Sequence, residues 1–505
     1  MFCSPPQSEH RIRQSAENKA QTKGSQTRKT KENIYRMKTR IYYVSAPAGS
    51  GKTHRLEQYA ATMASSGKRK ILIAQPTKEL IQQTANRISN LYPGVAVHTI
   101  YSSSSGDSVL PRIERHMAHA ERAKGQVLLI THEALKRLPP AHRIHWDLIV
   151  DEIPAVFGCI PLKIVDTHRY LTDHLALEDL AAGISAVKIA DGHEADVEAL
   201  KRNDSDDELL EHFQRIATHL LDDNRTVMVE TAAYLDLIEG RKTIGEVNFF
   251  SLLRSEFVAD FESVTFMGAN ALETELFILW DALDDVEFRQ HPILSKGLRY
   301  DRHQNGNRLT VHYLFEQQWS ISRSLKVGNE MGPTLLESVG IYIERFFSGQ
   351  RFLWVANKSA DMWMFNQNDR LPPVSHGLNK PHFMNCHAVA STIALVHDNA
   401  SAKFLGMLGL TKQQIRTIIC YQSEYQAIMR CSLRDSEAIA PVTIIVPSQD
   451  SAEWIASKFD GCLVSKLDTG LDWEARKAGR PRAVRAMSGA ERARKCRERK
   501  KLKAA

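Results

Sequence analysis

The sequence predicts an α/β chain built from two parallel-sheet lobes, and three observations lead there. A short β-rich run, Arg40–Val44, feeds a glycine-bearing turn and then a helical pattern through Leu56, Tyr59, Ala60 and Met63. About 100 residues further on, the apolar run Trp146–Val150 delivers two consecutive carboxylates, Asp151 and Glu152. Apolar runs alternate with helical stretches of the length that parallel βα units require, and the alternation starts again near Arg308.

Length and composition set the frame. A chain of 505 residues with 43% hydrophobic content can bury two or three cores. No apolar run reaches the roughly 18 residues of a membrane span, and the polar N-terminus has no secretory h-region. Seven scattered cysteines without a C-x-x-C pair argue against a disulfide framework and against a cysteine zinc site. A reducing, cytoplasmic location without membrane contact is therefore expected. The net charge of +7 is unevenly held: residues 1–40 carry +7 and residues 476–505 carry +11, which leaves −11 on the body between them. Basic tails on an acidic body read as arms for a polyanion.

In chain order, residues 1–39 form a basic segment that lacks apolar spacing and is expected to be disordered. Met37, just ahead of the first strand, is an alternative start of translation. Ala46-Pro47-Ala48-Gly49-Ser50-Gly51-Lys52-Thr53 follows. A strand, a glycine turn and a helix N-terminus ending in Gly-Lys-Thr make a phosphate cradle for ATP. Backbone N–H groups and the helix dipole hold the anion, Lys52 reaches the β/γ-phosphates, and the Thr53 hydroxyl can ligate Mg²⁺.

The first lobe is expected over residues 40–285. Lys70–Ala74, Val95–His98 and Val127–Ile130 read as further strands, with helices between them. His116 and His119 lie one turn apart on one of these helices, and without a third ligand they read as a solvated face. Asp151 and Glu152, at the end of their strand, suit a nucleotide triphosphatase. The first would complete the Mg²⁺ shell through water, and the second would orient and deprotonate the attacking water. Residues of about 155–262 form an insertion expected to be helical. Ser205-Asp206-Asp207-Glu208 reads as a capping box ahead of an apolar stripe through Leu209, Leu210, Phe213, Ile216, Ala217, Leu220 and Leu221.

Residues 286–470 supply the second lobe: strands at Arg308–Phe315, Arg351–Ala356 and Val442–Val446, and a β-rich run ending at Val396. Gln426, Arg430 and Arg434 are spaced i, i+4, i+8, which places them on one helix face. Arginines so placed at a domain cleft can serve a γ-phosphate. His382, Cys386 and His387 lack a fourth partner for a metal. The tail, residues 471–505, holds Arg476–Arg482 with its Gly-Arg-Pro core. That core resembles an AT-hook, whose flat, extended arginines, here Arg480 and Arg482, can enter a narrow A·T minor groove. The helix expected after it is polar on every side.

With these motifs in place, the chain resembles the superfamily 2 DEAD/DEAH-like helicases and translocases. Ala46–Thr53 is similar to motif I, Gln75-Pro76-Thr77-Lys78-Glu79-Leu80 to motif Ia, and Asp151-Glu152-Ile153-Pro154 to motif II, differing from DEAD and DExH after the second acid. Val264–Asn270 is the nearest match to the coupling segment, with Gly-Ala-Asn in place of Ser-Ala-Thr, and His376-Gly377-Leu378-Asn379 looks like motif V. Gln426–Arg434 resembles motif VI with one extra residue between its arginines, so which arginine meets the γ-phosphate stays open.

The resemblance implies two RecA-like lobes clamping Mg-ATP. It also implies nucleic acid lying across their tops near Thr77, Thr131, His132 and Asn379, with the tail arginines favouring DNA over RNA. An ATP-dependent helicase or translocase is the expected function. The alternatives are another P-loop ATPase, of packaging-motor or small-molecule kinase type, and a DNA-binding regulator that uses ATP only as a conformational ligand.

Overall fold

The computed structural model describes residues 39–66, 69–102, 108–120, 124–163, 166–241, 246–327, 332–358, 360, 364–372, 381–394 and 399–471. The expectations for residues 1–38, Asn379, Arg480 and Arg482 lie outside these described residues.

The first lobe starts with β1 (Thr39–Ser45), β2 (Lys70–Gln75), β3 (Ala96–Thr99), β4 (Gln126–Thr131) and β5 (Trp146–Asp151). The chain then leaves this sheet through β6 (Phe157–Leu162), β7 (Leu175–Ala181), β8 (Ile184–Ile189), β9 (Arg225–Glu230) and β10 (Val247–Leu253). It returns as β11 (Ser263–Gly268) and β12 (Val286–Gln290). The first sheet has the order β12-β1-β11-β5-β2-β4-β3, with every pairing parallel.

Every residue of β2 and β5 is buried, as expected of central parallel strands covered on both faces. Their side chains alternate between two cores. Leu72, Ala74, Leu148 and Val150 point into one, and Ile71, Ile73 and Ile149 into the other. The register sets Ser45 beside Gly268 and Met267 beside Asp151, so β1, β11 and β5 end together. At the C-terminal ends of its strands, a parallel sheet holds its ligands.

The insertion departs from the helical expectation. Its frame is a five-stranded antiparallel sheet in the order β6-β10-β9-β8-β7, with two longer helices, Glu194–Arg202 and Glu208–Leu220, on one face. The strand signals are present in Arg225–Glu230 and Val247–Leu253, whose alternate residues feed opposite faces. Val227, Val229 and Phe249 pack with the helices, whereas Met228, Phe250 and Leu252 pack on the other side. That second face is covered by Phe404, from the second-lobe helix Asn399–Met407. Its ring stacks on Phe250 at 3.8 Å between centroids, and Lys403 pairs with Glu230 at 2.6 Å. The helix at 208–220 is present with its stripe, but its cap is Asp207, which accepts from the Leu209 N–H at 2.7 Å, and not Ser205.

The second lobe consists of β13 (Leu309–Phe315), β14 (Leu353–Val355), β15 (Arg370–Leu371), β16 (Ala388–Ser391), β17 (Val442–Ser448) and β18 (Leu463–Lys466). It is a second all-parallel sheet, ordered β15-β14-β16-β17-β13-β18. The β-rich run expected to end at Val396 leaves the sheet after Ser391, where the Trp319 indole N–H takes the Thr392 carbonyl at 2.9 Å. Among the described residues, no helix is long and apolar enough to cross a membrane.

Candidate active site

The loop after β1 enters the helix Lys52–Ser65 through Gly49 and Gly51, both at φ 87°. Side chains other than glycine are strained there, and at Gly49 they would also collide: a Cβ would lie 2.6 Å from the Tyr300 hydroxyl and 3.0 Å from the Arg434 carbonyl oxygen. Lys52 is buried, and its Nζ donates to the carbonyls of Ala46 (2.7 Å) and Pro47 (2.9 Å). Burial lowers its pKa to about 8, against the pull of Glu152 and Asp151, while Arg434 pushes the same way as burial.

Asp151 stands opposite, 2% exposed at the end of β5. Its Oδ2 accepts from the Thr53 hydroxyl at 3.2 Å and from Gln75 Nε2 at 3.0 Å. Burial, then the neighbouring Glu152 charge, raises its pKa to about 6. Glu152 sits at φ 65°, a left-handed bend immediately after Asp151, where β5 ends. Thr53 and Asp151 present only oxygen donors, close enough to share one ion, which is the donor set of a hard cation such as Mg²⁺.

The second lobe reaches this site from Gln426, Arg430 and Arg434, though not on one continuous helix. The helix Gln422–Ile428 ends before Arg430, and Ser432–Arg434 is a separate short 3₁₀ turn. The single face expected from the i, i+4, i+8 spacing is therefore replaced by a helix end and a turn. The three residues still converge. Arg430 Nη2 donates to Gln426 Oε1 at 3.3 Å, and both side chains are buried. Arg430 and Arg434 each feel the Glu152 charge across the lobe boundary; burial and mutual repulsion bring Arg430 down to about 10, still charged at neutral pH.

Sequence reasoning missed four residues that close the loop. Tyr425, one position before Gln426, accepts from the Ala48 N–H at 2.9 Å and shares a 2.8 Å hydrogen bond with His303 Nε2. Tyr300 donates to the Ala48 carbonyl at 3.0 Å, and the Arg299 N–H donates to the Ser50 carbonyl at 2.9 Å. Arg299, Tyr300 and His303 lie on the connector between the lobes, where no periodicity marks them. A second signal was available at Thr417–Tyr421, a π-helical turn leading into the Gln422–Ile428 helix, since such turns collect at functional sites.

Of the residues expected to meet nucleic acid, Thr77 and Thr131 cap helices, accepting from the N–H groups of Leu80 and Ala134 at 3.2 Å each. His132 is not offered to a strand. It is buried, burial lowers its pKa to about 4, and its Nε2 meets the Asp151 carbonyl at 3.1 Å, so it fixes the end of β5. Asn270, at φ 48°, directs its Nδ2 to Gln422 Oε1 at 3.4 Å and so links β11 to the second-lobe helix.

The family model described as DEAD/DEAH box helicase matches residues 23–158, the stretch that holds the loop at 46–53 and the Asp151–Glu152 pair. The likeness covers residues 23–158 of the 505. Among solved structures, the chain is similar to S. tokodaii Xpd4 at 11% identity and a TM-score of 0.43, over 85% of this chain and 96% of that one. It is also similar to an apo XPD structure at 9% identity and a TM-score of 0.45, over 85% and 97%. S. cerevisiae Dbp5 bound to RNA and ADP BeF3 aligns at 8% identity and a TM-score of 0.34, over 86% of each chain. The curated proteins contain no match to this chain. The assignment of two RecA-like lobes follows from the strand orders and motif positions given above.

Proposed function

We propose that this helicase-like chain is an ATP-dependent nucleic-acid helicase or translocase of superfamily 2, with Mg²⁺ as its metal and DNA favoured over RNA. The observation that carries the proposal is the convergence of Lys52, Thr53, Asp151 and Glu152 from one lobe with Gln426, Arg430 and Arg434 from the other, on one glycine loop.

In this reading, Lys52 exchanges its carbonyl partners for phosphate oxygens, which accept from an ammonium more strongly than neutral carbonyls do. Thr53 and Asp151 would hold Mg²⁺, which supplies charge neutralisation of the phosphates. Glu152 orients the attacking water and takes its proton. Arg430 and Arg434 stabilise the charge that develops on the transferred phosphoryl group and sense its loss. Because Tyr425 ties the loop, and Gln422 through Asn270 ties β11, to the second lobe, the state of the phosphate is passed to lobe closure. The basic tail supports DNA through its Gly-Arg-Pro core and its +11 charge.

The test is ATP turnover with no nucleic acid, with single-stranded DNA, with duplex DNA and with RNA. Stimulation by a polynucleotide, greatest with DNA, is expected. Turnover indifferent to all of them would overturn the translocase reading, and absent turnover with intact ATP binding would leave a nucleotide-regulated binder.

A further inference from the structure

We propose a divalent transition-metal site in the insertion, formed by His174, His193 and Asp196 with a fourth position open to water. The site lies apart from the loop at 46–53 and uses none of its residues. His174 immediately precedes β7, and its carbonyl accepts from the Ala190 N–H at 2.9 Å, which extends the β7–β8 ladder by one step. His193 and Asp196 lie at the start of the helix Glu194–Arg202, spaced i, i+3 and so on one face. That helix is anchored in the insertion core by Val197 and Leu200. Two rigid elements therefore present the three side chains to one point.

The distances have the scale of a metal site. Nδ1 of His174 lies 2.9 Å from Nδ1 of His193, and Oδ2 of Asp196 lies 3.0 Å from the second and 3.4 Å from the first. An ion at the usual ~2.0–2.1 Å from each atom would sit roughly 1 Å above their plane, the position that leaves a tetrahedral fourth ligand. The side chains are 25%, 41% and 51% exposed, so an ion can enter and water can complete the shell.

Protons account for only part of the cluster: one on His193 Nδ1 serves the 2.9 and 3.0 Å edges and leaves the His174 lone pair facing the carboxylate at 3.4 Å. Each imidazole Nδ1 has a single in-plane direction, filled either by a hydrogen or by a lone pair. With one Nδ1–H in the cluster, the second nitrogen turns a lone pair toward the carboxylate. With two, the N–H groups face each other across 2.9 Å. No assignment of protons to neutral rings satisfies all three edges of the triangle, whereas one central cation satisfies them together. Two imidazoles and one carboxylate are borderline donors, suited to Zn²⁺ and its neighbours and not to Ca²⁺ or Mg²⁺.

The experiment uses the full chain, stripped of metal and held in excess Mg²⁺ so that the loop site does not compete. Zn²⁺ is titrated against a chromophoric chelator, and Co²⁺ is used in parallel as an optical probe. The wild type should bind one equivalent of Zn²⁺ more than the double variant His174→Ala/His193→Ala. Asp196→Asn should weaken that equivalent by roughly tenfold or more, and Co²⁺ should give tetrahedral visible bands only where both histidines are present. Zn²⁺ should also raise the thermal midpoint of the wild type and leave the double variant unmoved. Equal stoichiometry in the two proteins would overturn the site, as would a wild type that takes up no Zn²⁺. Should the double variant lose its fold by circular dichroism, Asp196→Asn decides: its exposed side chain is dispensable for folding, and unchanged Zn²⁺ affinity there refutes the proposal.

Discussion

Asp151→Asn is predicted to make the nucleotide-free protein more stable at neutral pH. Asp151 is ionised at pH 7 although burial and the Glu152 charge have raised its pKa to about 6, from an ordinary value of 3.8. Between pH 3.8 and 6 the folded state binds more protons than the unfolded chain, so stability falls as pH rises through that window, and above 6 the whole penalty is present. A shift of that size corresponds to about 3 kcal/mol. Asparagine keeps acceptor geometry for Gln75 and Thr53 but removes the attraction to the already desolvated Lys52, which returns part of the gain. A net gain of about 1–2 kcal/mol is expected, or roughly 2–8 °C in the transition of a domain of this size. The assay is thermal unfolding of both proteins without nucleotide and with a chelator, from pH 4 to 8. The gap should be widest above pH 6 and should close toward pH 4. A variant no more stable than wild type at pH 7.5, or a gap independent of pH, would refute the claim that the site stores unfavourable charge. The same variant should lose the rise in thermal midpoint that Mg-ATP gives the wild type.

Glu152→Gln should retain ATP binding and lose turnover by about 10²–10⁴-fold, read in a phosphate-release assay. Ala at Arg430 or Arg434 should reduce turnover by about 10²-fold or more with little change in nucleotide affinity; unchanged rates in both variants would remove these arginines from the chemistry. Glu424 is buried with Ser391 and Ser451 as partners, and burial raises its pKa to about 7, so Glu424→Gln should stabilise the second lobe above pH 7 and have no such effect near pH 4.5. Deleting residues 476–505 should weaken DNA binding and flatten its salt dependence while ATPase without DNA is maintained, as measured by binding titrations at several salt concentrations.

The parts of the fold most legible in sequence were those in which one local requirement fixes the residue type. The loop at 46–53 needs glycine at two left-handed positions and a lysine at a helix start, and the strand Trp146–Asp151 is wholly buried and apolar apart from Asp147, which pairs with Arg69, and its terminal acid. The insertion was less legible. Its two amphipathic helices have strong stripes, whereas β7 is mostly exposed and its leucines, at 175, 177 and 180, do not keep to one strand face. The motif VI spacing reads as one helix because sequence periodicity does not reveal where a helix stops. The break after Ile428 is made by tertiary contacts, with Ser432 N–H held by the Cys386 carbonyl at 2.9 Å. Tyr300, His303 and Tyr425 act through partners 122 to 377 residues away, and no local pattern encodes such a contact.

In the proposed cycle, those long-range contacts are where hydrolysis would be coupled to movement. Both backbone polar groups of Ala48 are held from outside its own lobe, its N–H by Tyr425 and its carbonyl by Tyr300. Tyr425 is fully buried and is neighboured in sequence by Glu424, bonded to β16 through Ser391, and by Gln426, bonded to Arg430. A change at the phosphate loop therefore reaches the centre of the second sheet through one helix of seven residues. Removing the Tyr425 hydroxyl would leave the Ala48 N–H and His303 Nε2 without that shared partner inside the protein, at a cost of about 1–3 kcal/mol for a buried donor. The hydroxyl neither touches the chemistry nor carries charge, so Tyr425→Phe should act on the link between the lobes while nucleotide binding to the loop persists. Polynucleotide stimulation of turnover should fall more than basal turnover does, and an equal fall in both would place Tyr425 in loop stability alone.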